Sequence, residues 1–198
     1  MAGRTATINR KTNETDIALS LCLDGGAYKI QTGVGFFDHM LDHVARHGRL
    51  GLNVVATGDR HVDDHHTVED VGIVLGQALV EALDDKRGIE RFGFASVPME
   101  DALARVSVDL SGRQALVFEV RPSAFRHGSG KIGTFDTQLV EEFLTALVNN
   151  GRFNCHVEVP YGNNHHHISE AIFKALGRAL RQAVAVTGDQ IPSTKGVL

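Results

Sequence analysis

The chain predicts an α+β fold built from an internally duplicated unit, each copy a sheet with two helices. Three observations carry this. First, His65-His66-Thr67-Val68-Glu69 returns as His166-His167-Ile168-Ser169-Glu170 at a constant offset of 101 residues. Second, the register then holds without a gap, Leu75-Gly76-Gln77-Ala78-Leu79 matching Leu176-Gly177-Arg178-Ala179-Leu180. Third, an earlier helical pattern stands ahead of each motif, closed by Gly48 in one half and Gly151 in the other, 103 residues apart. The duplication divides the 198 residues into halves of 1–92 and 93–198 within one compact domain, sheet on one side and helices on the other. The pattern leaves the strand order open.

Taken in order, residues 5–23 read as strand, because Ile17, Leu19, Leu21 and Leu23 alternate before an Asp24-Gly25-Gly26 turn. Tyr28 to Thr32 is the return strand. A helix follows from about Phe37 to Arg46 and stops at Gly48 as the C′ residue. Met40, Leu41 and Val44 form its apolar face, while His39, His43 and His47 line another at i, i+4 and i+8. Leu50 to Thr57 is an apolar strand, Gly58 to Asp64 a polar loop, and the first motif helix runs to about Leu83. Asp85-Lys86-Arg87-Gly88 marks the seam.

The second half repeats the order. Ala102 to Leu110 and Ala115 to Val120 are strands around a Ser111-Gly112-Arg113 turn. Arg126 to Gly133 reads as a mobile, charged, Gly-rich loop in which His127 is solvated. Thr137 to Val148 is a helix, Phe153 to Val159 a strand, and the second motif helix extends to about Val186. Aligned on Gly48 and Gly151, His39 falls opposite Glu142.

Composition narrows the partners. A net charge of −4 with no basic stripe speaks against nucleic acid. No apolar run reaches membrane length and no signal-like segment opens the chain, so a cytoplasmic protein is expected. Cys22 and Cys155, both in strand-like stretches, read as reduced core residues. Eleven histidines beside two tyrosines and no tryptophan are the compositional outlier, and they sit where the chemistry is expected.

On a helix, residues three and four apart share a face. In each motif both histidines therefore point the same way as the glutamate, a partial coordination sphere for a divalent metal. The spacing differs from the His-Glu-x-x-His of zinc proteases. Lys174, four residues after Glu170, projects from the same face and brings positive charge to it. A dinuclear hydrolase and a non-catalytic metal buffer both fit the histidines; the basic residue argues against the buffer.

Longer motifs carry a resemblance. Phe36-Phe37-Asp38-His39-Met40-Leu41-Asp42, the stretch from Asp63 to Val71 and the stretch from Gly162 to Glu170 resemble the imidazoleglycerol-phosphate dehydratase family of histidine biosynthesis. Arg91-Phe92-Gly93, Pro98-Met99, Ser111-Gly112-Arg113 and Pro192-Ser193-Thr194-Lys195-Gly196 match as well, so the resemblance spans the chain. It implies a duplicated fold like domain 2 of ribosomal protein S5, and a lyase converting imidazole glycerol phosphate to imidazole acetol phosphate and water. It also implies two manganese ions per active site and a dimetal-bound imidazolate passing to a diazafulvene-like intermediate. Subunits are expected to form a homo-oligomer, a 24-mer built from trimers.

Mapped onto this sequence, the resemblance makes His39, His65, His66, Glu69, Glu142, His166, His167 and Glu170 metal ligands. Many relatives have histidine where Glu142 stands, and glutamine is frequent at His43. Glu14, His47 and Glu170 are implied in proton handling, with acid and base unassigned among them. Glu14, His43, Arg91, Arg113, Lys174, Ser193 and Lys195 are implied in substrate binding, the basic ones toward the phosphate.

Overall fold

A computed structural model describes residues 3–122, 125 and 130–198; His127 lies outside them. The first half contributes β1 (Thr5–Lys11), β2 (Thr15–Cys22), β3 (Tyr28–Gln31), α1 (Gly35–Gly48), β4 (Gly51–Gly58) and α2 (His65–Leu83). The second contributes β5 (Phe92–Met99), β6 (Ala102–Asp109), β7 (Ala115–Val120), the short β8 (Lys131–Ile132) and β9 (Phe135–Asp136), then α3 (Leu139–Gly151), β10 (Asn154–Tyr161) and α4 (His165–Ala183). The sheets run β1-β2-β4-β3 and β5-β6-β10-β7, the same order twice, with β8-β9 a separate ribbon. In each sheet the first three strands are antiparallel and the last is parallel to its neighbour. This is the duplicated α+β architecture expected from the repeat.

Strand period explains the sheets. Ile17, Leu19 and Leu21 of β2 are buried while the residues between them are not, and β6 and β10 alternate in the same way. One face of each sheet thus carries the apolar residues that the helices cover. Tyr28–Gln31 departs from the expected return strand. It does not pair with β2; β4 lies between them, and β3 runs parallel to β4. The physical reason is burial: Leu52 and Val54 of β4 are fully buried, whereas no residue of β3 is, so the more apolar strand takes the centre. Residues 92–99, for which no strand was foreseen, form β5 at the sheet edge, where Pro98 costs no ladder bond. Part of the expected mobile loop is ordered: Lys131–Ile132 pairs with Phe135–Asp136, and Phe135 is buried.

The helices pack across the halves. α2 lies on β1 and β2 of its own sheet, but its helix partner is α3; α4 lies on β5 and β6, and its helix partner is α1. Phe37 of α1, Phe143 of α3 and Phe173 of α4 are fully buried, with Phe143 5.2 Å from Phe37 and 5.4 Å from Phe173, centroid to centroid. Aromatic packing therefore joins three of the four described helices. Asp70 of α2 is 6% exposed; it accepts the Thr15 hydroxyl and pairs with Arg10, fastening α2 to β1 and β2. Both cysteines are free, and burial pushes the Cys155 thiol up to about 12, so it stays protonated in the core.

Gly48 and Gly151 are not the left-handed stops expected of them. Each is the last residue of its helix, and the left-handed position falls on Arg49 (φ 53°) and Arg152 (φ 51°). Glycine is needed for approach instead. A Cβ at Gly76 would stand 2.6 Å from Gly151 N and 2.7 Å from Leu147 O. A Cβ at Gly177 would stand 2.8 Å from Val44 O and 3.0 Å from Gly48 N. The two pairs are counterparts in the repeat and set how closely α2 meets α3 and α1 meets α4. Gly76→Ala should accordingly destabilise the fold by about 1–3 kcal/mol through overpacking. Gly188→Ala, with open space around it, should change stability by less than about 0.5 kcal/mol. Denaturant unfolding of both variants compares them; equal midpoints would show that the crossing tolerates a side chain.

Candidate functional site

The α1–α4 contact creates the first cluster. His39 and His43 leave α1 on the stripe read from the sequence, and α4 presents Glu170 to them from its buried side. Glu170 Oε1 lies 3.1 Å from His39 Nε2 and 2.9 Å from His166 Nε2. Glu170 Oε2 lies 2.5 Å from Lys174 Nζ and 3.4 Å from His43 Nε2. Burial alone would raise the carboxyl of Glu170. Hydrogen bonds from Lys174, His39 and His166, with the nearby His43, outweigh burial and hold it at about 2. Burial pushes His43 down to about 4, so near neutral pH it contacts Glu170 as a neutral imidazole. His47, 5.7 Å from His43 ring to ring, is also lowered, first by burial and then by Lys174, Arg178 and Arg46.

Ligand-capable atoms of His39, His43 and Glu170 lie within 4.8 Å of one another. Two imidazole nitrogens and a carboxylate oxygen suit a borderline divalent ion. This trio includes His43, which the resemblance assigned to substrate. His166 reaches the same Glu170 oxygen as His39. Lys174 competes for that carboxylate, holding its other oxygen.

The second histidine of each motif is held by an aspartate on Nδ1. His167 Nδ1 is 2.6 Å from Asp101 Oδ1, and His66 Nδ1 is 3.0 Å from Asp59 Oδ2. Such a carboxylate fixes tautomer and orientation and leaves Nε2 free for an incoming ligand. The His167 hydrogen bond and the Asn163 and Asn164 backbone N–H groups hold the Asp101 carboxyl down at about 2. Asn164 also caps α4, accepting from His166 N and His167 N. On the other side, the hydrogen bond to Asp59 raises His66 above the usual histidine value. The first-half group is looser: His65 Nε2 is 4.0 Å from Glu69 Oε2, and His66 Nε2 is 3.8 Å from Glu14 Oε1.

Sequence reasoning did not single out Asp59 or Asp101. A signal existed for one of them. Asp101 sits in the β5–β6 turn immediately before β6, the place Glu14 occupies before β2, and both carboxylates face the second histidine of their own half. Glu142 lies in the first turn of α3, where no hydrogen bond or ion pair reaches its side chain among the described residues. Nor does any hydrogen bond, ion pair or ring contact among them join the Glu170 cluster to the His65–His66–Glu69 group. Within one chain, the expected ligands thus form two groups.

The basic residues also divide. Arg91, Arg113, Ser193 and Lys195 line one cavity of about 550 Å³. Lys174 is elsewhere, on Glu170. Arg91 is partly committed: it grips Asp109 at 2.7 and 3.2 Å and donates to Pro192 O at 2.9 Å, which positions the Ser193–Lys195 segment at the rim. Lys86 and Arg152, not singled out beforehand, line the same cavity.

The family model for imidazoleglycerol-phosphate dehydratase matches residues 32–180, from the end of β3 into the last turn of α4. The imidazoleglycerol-phosphate dehydratase of Roseobacter denitrificans is 57% identical over 200 residues, covering 98% of this chain and 100% of that protein. That of Lacticaseibacillus casei is 56% identical over 198 residues, with 98% and 100% covered. Among solved structures, the Staphylococcus aureus imidazoleglycerol-phosphate dehydratase superposes with a TM-score of 0.82 at 44% identity, covering 92% of this chain and 99% of that one. The Pyrococcus furiosus structure, in complex with (S)-C348, gives a TM-score of 0.79 at 37% identity, with 96% and 100% covered. The chain belongs to the imidazoleglycerol-phosphate dehydratase family.

Proposed function

We propose that the protein is a hydro-lyase of histidine biosynthesis that converts imidazole glycerol phosphate to imidazole acetol phosphate and water. The observation that carries this is the Glu170 constellation: a carboxylate held ionised among three imidazoles, on a scaffold that also provides a separate basic cavity. A dehydratase acting on a phosphorylated imidazole needs both. Supplying imidazole glycerol phosphate to the purified protein should yield imidazole acetol phosphate with no release of inorganic phosphate. Phosphate release in place of the ketone product would overturn the reading in favour of a hydrolase.

Two manganese ions per active site are proposed, held by His39, His65, His66, Glu69, Glu142, His166, His167 and Glu170. Support comes from the repeated His-His-x-x-Glu and from the aspartates that aim His66 and His167 by their Nδ1 atoms. When bound, the ions supply Lewis acidity toward the imidazole nitrogens of the substrate, easing loss of a carbon-bound proton. His43 approaches Glu170 closely enough to serve as either ligand or substrate contact. Arg91, Arg113, Ser193 and Lys195 bind the phosphate, and Lys174 sets the charge of Glu170.

Proton handling falls to Glu14, His47 and Glu170, and their surroundings separate them. A carboxyl held at about 2 is a weak base near neutral pH, so Glu170 suits a ligand or a fixed negative charge better than a proton shuttle. His47 is kept neutral by burial and by the cations around it, as a proton acceptor requires. Glu14, whose Oε1 is 3.8 Å from His66 Nε2, is proposed for the opposite step. His47→Asn should therefore retain bound metal while turnover falls by roughly 10²–10⁴. Wild-type turnover in that variant, with metal content measured alongside, would remove His47 from the mechanism.

The two separate ligand groups of one chain favour sites completed between subunits, and we propose a 24-mer assembled from trimers. Exposed Phe92 and Phe94 on the edge strand β5 are apolar surface available for such contacts. If subunits share ligands, metal binding contributes directly to association. Stripping metal near neutral pH should then leave trimers or similar small species, and manganese should restore the large shell. Light scattering reads this, and an unchanged particle size after confirmed metal loss would separate assembly from the ions.

A further inference from the structure

The cavity lined by Arg91, Arg113, Ser193 and Lys195 has a floor that the proposed function does not use. Lys86 and Ser111 form it. Lys86 is 8% exposed, and lysine is almost never buried without a partner. Among the described residues no hydrogen bond or ion pair reaches its ammonium group, and the undescribed residues carry no acidic side chain. The nearby carboxylate of Asp109 is already taken by Arg91. Ser111 is 3% exposed, and among the described residues its Oγ has no hydrogen-bond partner. Ser111 Oγ is a buried donor without an acceptor, costly unless a ligand satisfies it, and the Lys86 ammonium beside it opens on the same cavity with no acidic partner in contact.

The backbone holds them together. Gly112, at φ +78°, lets the Ser111–Gly112–Arg113 turn close down over Lys86, whose Nζ would be 3.5 Å from a Cβ at Gly112. Lys86, Arg91 and Arg152, together with Asp84, line this cavity with left-handed φ values of 60°, 71°, 51° and 49°, conformations that side-chain-bearing residues avoid. Five cationic side chains line it, and the acidic groups in the lining are the Asp84 side chain and the carboxylate of Leu198. Burial depresses the Lys86 ammonium, and Arg152 adds to the effect, so the site carries an unmet demand for negative charge.

We infer that Lys86 and Ser111 are direct ligands of an anionic phosphoryl group, the deepest donors of the cavity, with Arg152 as a further charge at its rim. The identity of that group as the substrate's phosphate rests on the function proposed above; the anion chemistry does not. Such a lysine contributes affinity at the expense of the empty protein, because its charge is unsatisfied until the anion arrives.

The test uses the full-length, manganese-loaded protein with Lys86→Met and Ser111→Ala. Inorganic phosphate should raise the denaturation midpoint of the wild-type protein, and Lys86→Met should abolish that rise. Lys86→Met should also raise the KM for imidazole glycerol phosphate at least about tenfold, the range expected for a lost charge-assisted hydrogen bond. Ser111→Ala should raise it by about three- to tenfold. Without ligand, Lys86→Met should unfold at a midpoint equal to or above that of wild type. A lower midpoint, failure to fold, or unchanged phosphate stabilisation in Lys86→Met would each overturn the inference and make the residue structural. If wild-type protein makes no imidazole acetol phosphate, the functional reading falls, while the phosphate-dependent midpoints still decide the role of Lys86.

Discussion

The rest of the structure depends on two close helix crossings, each made at a glycine pair. Gly76 meets Gly151 where α2 crosses α3, and Gly48 meets Gly177 where α1 crosses α4. Each crossing joins a helix of one half to a helix of the other. The halves of the repeat are therefore not beads on a string; each supplies the partner helix that the other needs for burial. A backbone-to-backbone approach of this kind leaves no room for a methyl group, so the small residue is demanded by the packing and not by a turn.

That constraint also makes the site. Because α1 is pressed against α4, His39 and His43 reach Glu170 and His166, four residues drawn from both halves of the chain. Within that cluster, opposing effects are resolved by number. Burial disfavours a charge on Glu170, yet Lys174 and two imidazoles donate to it, and the carboxylate stays ionised. The same burial acting on His43, with no comparable acceptor in full contact, keeps that ring neutral. Asp59 and Asp101 repeat a single device on His66 and His167, fixing one ring nitrogen so that the other faces outward.

Away from this cluster, positive charge is concentrated around the seam between the halves. Lys86 and Arg91 come from that connection, Arg113 from the β6–β7 turn, Arg152 from the end of α3 and Lys195 from the C-terminal segment. No local stretch of sequence contains this constellation. Backbone geometry costly for non-glycine residues recurs at its members Lys86, Arg91 and Arg152.

The sequence by itself determined the duplication, the helix faces and most strand positions, because periods of 3.6 and 2 residues are written in local order and need no tertiary context. It also singled out both motifs and most of the basic cavity. Tertiary structure alone decided four things. β4, not β3, lies beside β2, since burial of Leu52 and Val54 outweighs the short turn. Gly48 and Gly151 serve a crossing and not a cap, since each lets a helix of the other half approach its backbone, at Gly177 and Gly76 respectively. Asp59 belongs with His66, and Lys86 lies beneath Ser111 and Gly112. Most of these depend on a contact between distant segments, and hydrophobic period records which face is buried but not which residue meets it there.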